Sequence, residues 1–339
     1  MIKENISIKN IVLKNRVIAA PIVTNSWDDN GSPTLDTLQI YKAYAESGAG
    51  LIVAEQHAVN TWGRVSLKQP SLYNDKSALE LRPITKIFRD KNIPIVAQLN
   101  FGARATITKL LDDPNYKLVS PSGLPTPRKS PVDANSQALE LIEIKEIIQS
   151  FADAARRAVE ISKFSGGVQI YASHGYLISQ FLSPLTNIRT DIYGGSLANR
   201  ARLLFEIVEA VKAVVGNAPV SVRLGASDTM PNEPENGLTL SESVWIAEEL
   251  AKMGIDWLSV SGNHCIYGIG VDDNDTAYFA PYSKAMRNAM YKYDIPVDCT
   301  GGIRSLETAE KLLKEKVCDL IGIGRPLLSD KSFLSGWNL

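Results

Sequence analysis

Cysteine and histidine are scarce in this 339-residue chain, which has three of each: Cys265, Cys299 and Cys318, and His57, His174 and His264. The cysteines are far apart and form no C-x-x-C pair, which argues against a disulfide framework, a zinc ribbon and an iron–sulfur cluster. Three scattered histidines leave no histidine-rich metal site, so no metal is expected. Neither sign of charge dominates, with 36 Lys+Arg against 37 Asp+Glu. Nucleic acids and anionic membranes demand a basic excess, so neither is an expected partner. No apolar run approaches the ~20 residues needed to cross a bilayer. The opening Met1-Ile2-Lys3-Glu4-Asn5 lacks the apolar core of a signal peptide. What remains is a soluble, cytoplasmic protein acting on a small molecule, with a homo-oligomer as an open alternative to a monomer. Disorder is excluded by an apolar fraction of 45%.

Short apolar runs alternate with longer segments of helical period. The runs are Val17–Pro21, Gly50–Ala54, Ile93–Leu99, Gly167–Tyr171, Val220–Leu224, Trp257–Ser261, Ile295–Thr300 and Asp319–Ile323. Each is nearly continuously apolar, as parallel strands buried on both faces are. Ile144, Ile147, Ile148, Phe151, Ala155 and Ala158 form one helix face. Ser32-Pro33 predicts a capped helix start, with Gly48 closing that helix, and Ser196, Ser241 and Ser305 predict further starts. Eight strands, each followed by a helix, predict a (β/α)₈ TIM barrel as a single domain over 1–339. A doubly wound sheet is the rival, but no G-x-G-x-x-G follows the first strand. A long βα loop is expected at about 101–137, with the proline-rich Asp112–Gln137 as either an active-site cover or a surface excursion.

Chemistry in this fold sits at the C-terminal strand ends. The seventh strand ends in Thr300-Gly301-Gly302 and the eighth in Ile323-Gly324-Arg325. Glycines there let backbone N–H groups approach a phosphate, and Arg325 adds a charged fork; the alternative is that they only make tight turns. The fourth strand runs through Tyr171 into His174-Gly175-Tyr176. His174 can donate to an oxygen and Tyr176 can give up a proton, unless the pair is only packing. Gln98 ends the third strand and Arg223 the fifth, where a buried guanidinium needs an anionic or carbonyl-rich partner. His57 is expected near the barrel mouth, either lining the pocket or at the surface, and His264 in a loop. Asp272, Asp273 and Asp275 read as solvated, because the twelfth-position glutamate of a calcium loop is missing.

Together these stretches resemble the Old Yellow Enzyme family of FMN-dependent NAD(P)H oxidoreductases and ene-reductases, along nearly the whole chain. The matching blocks are Leu13–Val17 through Pro21, Gly48–Ile52 through Glu55, Gln98-Leu99-Asn100, His174-Gly175-Tyr176-Leu177 through Pro184, Asn187–Ser196 through Asn199-Arg200, and Gly322–Pro326. The resemblance implies FMN as cofactor and NAD(P)H as reductant. It implies that Ala20, Pro21, Ile22 and Val23 line the flavin ring, with Gln56 close by. Gln98 would bond the pyrimidine, Arg223 would offset negative charge at its edge, and Gly301, Gly302, Gly324 and Arg325 would hold the phosphate. Tyr176 would protonate the substrate carbon, and His174, beside Tyr171, would receive the substrate oxygen. Tyr193-Gly194-Gly195-Ser196 reads instead as loop and helix cap.

Four positions depart from the family pattern. Tyr171 replaces a usual histidine, and Val23 replaces a Thr or Cys that bonds the flavin. Gln56 stands where a small residue is common, and Phe101 replaces a frequent histidine. Valine cannot make the flavin bond, so a lower flavin potential is expected. Three other readings stay open. One is a flavin- or quinone-type reductase in which Tyr171 spoils the carbonyl site. Another is a flavin-free phosphate-binding aldolase or isomerase, disfavoured because no lysine ends a strand. The last is a non-catalytic FMN-binding protein. No further electron-shuttling domain is expected, because the barrel closes at the end of the chain.

Overall fold

The eight apolar runs pair side by side in parallel, and the last returns to the first. In the computed structural model, which describes residues 1–103, 108–114, 116–124, 136–267 and 274–339, a hairpin of β1 (Ile6–Ile8) and β2 (Ile11–Leu13) precedes β3 (Val17–Ala19) and α1 (Leu35–Glu46). There follow β4 (Leu51–Ala58), α2 (Asp75–Glu80), α3 (Arg82–Arg89) and β5 (Ile95–Asn100). A short pair, β6 (Val119–Ser120) and β7 (Gln137–Ala138), then leads to α4 (Leu141–Arg157). Next come β8 (Val168–Ala172), α5 (Leu177–Leu182), α6 (Leu197–Val214), β9 (Val220–Gly225), α7 (Leu240–Lys252) and β10 (Trp257–Ser261). The chain finishes with α8 (Ala280–Met290), β11 (Val297–Thr300), α9 (Leu306–Lys314), β12 (Leu320–Ile323) and α10 (Arg325–Ser329). The closed barrel runs β3-β4-β5-β8-β9-β10-β11-β12.

The N-terminal hairpin plugs one end. Ile8 and Leu13 pack with Ile18, Leu51, Val96, Trp257 and Leu320, residues at or near the starts of their strands. The opposite end, where the strands finish, is therefore the face left for chemistry. Among the described residues no helix is long and apolar enough to cross a membrane.

Two predicted helix starts shift by two residues. The first helix is capped by Thr34, whose side chain accepts from the Thr37 N–H, and not by Ser32. Another is capped by Thr239, paired with Glu242, and not by Ser241. In both, the threonine is followed three residues on by a side chain that reaches back to the cap, and this reciprocal bonding outweighs a lone serine. Ser196 and Ser305 do cap their helices. In the loop before α6, Arg189 binds Asp191 and donates to the Pro121 and Leu139 carbonyls, tying it to the long loop after β5. Residues 125–135 of that loop, most of the proline-rich stretch, lie outside the described residues.

Candidate active site

A cavity of about 250 Å³ opens at the C-terminal strand ends. Of the residues predicted from sequence, it is lined by Ala20, Ile22, His174, Arg223, Gly301, Gly302, Gly324 and Arg325. Pro21, Val23, Gln56, Gln98, Tyr171 and Tyr176 are not part of that lining. Tyr171 and Tyr176 form a small buried cluster with Val65.

One end of the cavity is built for close approach. Gly301 and Gly302 have φ of +108° and +69°, which glycine alone adopts cheaply, and a Cβ on either would fall within 2.8 Å of the Tyr278 ring. The Tyr278 hydroxyl accepts from Arg325 Nη2 at 3.0 Å. Asp275, read from sequence as solvated, instead accepts from Ser305, Thr308 and the Arg304 N–H at the start of α9. Burial opposes its charge, but these bonds hold its carboxyl below the ordinary value. Asp272 and Asp273 lie outside the described residues.

Register sets the middle of the site. Adjacent strands place Tyr171, Arg223, Ser259 and Asp298 at one level across β8, β9, β10 and β11. Arg223 is 5% exposed, and its Nε and Nη1 have no hydrogen-bond partner among the described residues. Buried donors on a fixed cation are costly unless something accepts from them. Asp298, which sequence reasoning missed, accepts from Ser259 and Thr300 at 3.1 Å each. Burial raises its pKa, while the Arg223 charge pulls the other way. Its one sequence signal is an acid inside the otherwise apolar β11.

At the end of β8, the His174 ring is held at both nitrogens. Tyr171 hydroxyl bonds Nδ1, and Ser261 Oγ lies 2.6 Å from Nε2. A neutral imidazole accepts at one nitrogen and donates at the other, so in that form the two hydroxyls would take opposite roles. His174 has φ +62°, a left-handed conformation that non-glycine residues pay to adopt. The next residue explains how it is kept there: Gly175 N–H donates to Asn263 Oδ1 at 3.3 Å, and Asn263 Nδ2 donates to Asp228 Oδ1 at 2.6 Å. Because a carboxylate only accepts, Asp228 fixes which way the Asn263 amide faces. Ser261, Asn263 and Asp228 were not anticipated from sequence; each comes from a different loop or strand from the turn it supports. His264 sits beside them in a short turn at Ser261's end of the site, its Nε2 3.9 Å from Asp228.

Tyr176 meets two amides. Gln56 Nε2 donates to its hydroxyl at 3.0 Å, and Asn100 Nδ2 donates to Gln56 Oε1. Gln98 donates to Gln169 on the next strand at 2.9 Å. Val23 is 44% exposed. The neighbouring Thr24 turns its hydroxyl to Glu55 at 2.6 Å, so it does not supply the polar group that Val23 lacks. Burial raises the Glu55 pKa against the bonds from Thr24 and Trp27. Phe101 packs edge-on against Trp62, with ring centroids 5.0 Å apart.

His57 is neither pocket lining nor surface. It lies inside β4, 1% exposed, edge-on to Phe164 at 5.4 Å. The strand runs farther than the apolar pattern predicted, and carries His57 inward with it. Burial pushes its imidazole down from 6.5 to about 4, against interactions of the ring with the backbone carbonyls of Gln98 and Glu55 that favour the protonated form. A pKa depressed on folding means the unfolded chain binds the proton first. The stability His57 permits is whole above 6.5 and falls as pH drops toward 4. That fall amounts to about 3 kcal/mol at 1.36 kcal/mol per pH unit. In urea unfolding, the stability of the parent minus that of His57→Gln should therefore fall, through zero if it starts small, from neutral pH to the acid end of this window; a constant difference would contradict it.

A parallel barrel with a cavity at its strand ends, glycine loops after its last two strands and a buried arginine in the lining, two of whose N–H groups lack acceptors among the described residues, belongs to the class that seats a phosphorylated cofactor. Residues 2–336 match the model of the NADH:flavin oxidoreductase / NADH oxidase family. The chain belongs to that family, the FMN-dependent NAD(P)H oxidoreductases of Old Yellow Enzyme type. It is 33% identical to an NADPH dehydrogenase of Clostridium acetobutylicum, over 98% of this chain and 92% of that protein. It is 32% identical to an NADH oxidase of Thermoanaerobacter brockii, over 95% of this chain but 48% of that longer protein. The solved old yellow enzyme homologue from Zymomonas mobilis superposes with TM-score 0.81 at 27% identity, covering 99% of this chain and 92% of that one.

The residues present fit FMN. The orphaned N–H groups of Arg223 need acceptors, which a flavin's carbonyl edge supplies, and the Gly301-Gly302 turn with Arg325 is suited to a phosphate.

Proposed function

We propose that the protein reduces the C=C bond of an electron-poor alkene, an α,β-unsaturated carbonyl compound, with Tyr176 as proton donor and His174 receiving the carbonyl oxygen. The observation that supports this best is the meeting of Tyr171, His174 and Tyr176 beside the cavity, with His174 in its lining. Bound FMN supplies a hydride taken from NAD(P)H. Gly301, Gly302, Gly324 and Arg325 would hold its phosphate, and Arg223 and Gln98 its ring edge, beside Ala20, Pro21, Ile22 and Val23. His174 donates to the oxygen on which charge develops, and this matters most in the transition state. Tyr171 fixes the imidazole's orientation.

A second reading, an enzyme that passes electrons to quinones or free flavins and reduces alkenes poorly, has one observation in its favour. Both nitrogens of His174 are already engaged, by Tyr171 and Ser261, so a substrate oxygen must displace one of those bonds. Anaerobic NADPH oxidation with 2-cyclohexenone against menadione separates the readings: turnover of the enone supports the first, and turnover of the quinone alone supports the second.

Val23→Thr adds a hydroxyl where valine has none. One hydrogen bond to the reduced flavin, worth 0.5–1.5 kcal/mol, corresponds to a rise of roughly 10–30 mV in midpoint potential. An unchanged potential would show that position 23 does not face the flavin.

A further inference from the structure

We infer that Gln56 is a positioning residue for proton delivery, acting through the Tyr176 hydroxyl; the inference rests on the reading of Tyr176 as proton donor. The backbone explains why a glutamine of β4 reaches that far. Val53 pairs with Val96 but Gln56 pairs with Gln98, so two residues of β4, Ala54 and Glu55, stand opposite the single Ala97. Such a bulge re-aims the side chains after it. Glu55 bonds Thr24 and Trp27, while Gln56 bonds Tyr176.

The amide direction is set by a second residue. Asn100, at the end of β5 and fully buried, gives an N–H to Gln56 Oε1, which leaves the Gln56 NH₂ for the phenol oxygen at 3.0 Å. Gln56 is itself 6% exposed, so the bond lies away from bulk water. The Tyr171 ring packs beside that of Tyr176, with ring centroids 5.1 Å apart.

In the step concerned, with FMN held in the site, the hydride that NAD(P)H provides would reach the alkene carbon farther from the carbonyl. The Tyr176 O–H bond then breaks, its electron pair stays on the phenol oxygen, and a C–H bond forms at the carbon next to the carbonyl. Water later returns the proton to Tyr176. Negative charge thus develops on the very oxygen that Gln56 addresses, and a donor placed there beforehand is stronger in the transition state than in the ground state.

The test is a double-mutant cycle on the alkene half-reaction, followed by stopped flow with NADPH-reduced holoenzyme and 2-cyclohexenone. Gln56→Met keeps the bulk and removes the donor; a lost hydrogen bond to a charged group predicts about 10- to 100-fold slower alkene reduction. In the Tyr176→Phe background the same substitution should have no effect, because the oxygen it serves is gone. Additive losses, or no loss in the parent background, would overturn the inference while leaving Tyr176 as the donor. If Tyr176→Phe is itself as fast as the parent, both fail. Should Gln56→Met not fold, Asn100→Leu leaves Gln56 in place and frees its amide to turn over. A smaller loss, again absent with Tyr176→Phe, is expected; equal losses in both backgrounds would refute the arrangement.

Discussion

Replacing Tyr176 by phenylalanine is expected to slow C=C reduction of an enone by about 10²- to 10⁴-fold, the usual contribution of a positioned general acid. The substitution removes one oxygen and keeps the ring that packs against Tyr171 and Val65. The loss should fall on the alkene half-reaction, with bleaching of the flavin by NAD(P)H still observed. Rates of the two half-reactions, measured separately, check this. Alkene reduction at the parent rate would mean that the proton comes from elsewhere, with bulk water the first alternative.

Replacing Arg223 by methionine is expected to yield protein that loses its yellow colour on purification. Truncating one side of a buried charge contact costs about 2–5 kcal/mol, or roughly 30- to several-thousand-fold in affinity. Titration of the apoprotein with FMN measures it, and parent-like affinity would remove Arg223 from the cofactor site. The fold should survive, because the buried neighbour is a group that can neutralise itself. Asp298 already has a raised pKa from burial, opposed by the Arg223 charge. Without that charge its protonated form is favoured further. A raised folded-state pKa gives stability that is present at low pH and lost as pH rises. The variant's deficit in melting temperature should therefore grow from acid to neutral pH. Arg223→Lys keeps the charge without the planar fork, and intermediate FMN affinity is expected.

All eight barrel strands were readable in advance because a parallel strand buried on both faces is an apolar run whatever its neighbours are. The strand-end glycines and Arg223 were readable for a related reason: in this fold, position along the strand decides whether a residue faces chemistry. Helix starts were less so. Ser32 and Ser241 were good caps locally, yet Thr34 and Thr239 are the caps, through reciprocal bonds to Thr37 and Glu242. His57 was misplaced because β4 continues three polar-looking residues past its apolar core, a length that only pairing with β5 supports.

What the sequence by itself determined is the barrel, its catalytic end, the family and a set of residues at the strand ends. Only the tertiary structure decided who touches whom there. Ser261 and Tyr171 hold the two nitrogens of His174, Asn263 and Asp228 keep its turn, Asp298 stands level with Arg223, and Gln56 bonds Tyr176. These partners lie 3 to 120 residues apart, the nearest being Tyr171 and His174 and the farthest Gln56 and Tyr176. Apolar periodicity is a local property that each segment carries alone, whereas hydrogen-bond partners follow from strand register and one bulge, which exist only when the barrel has closed.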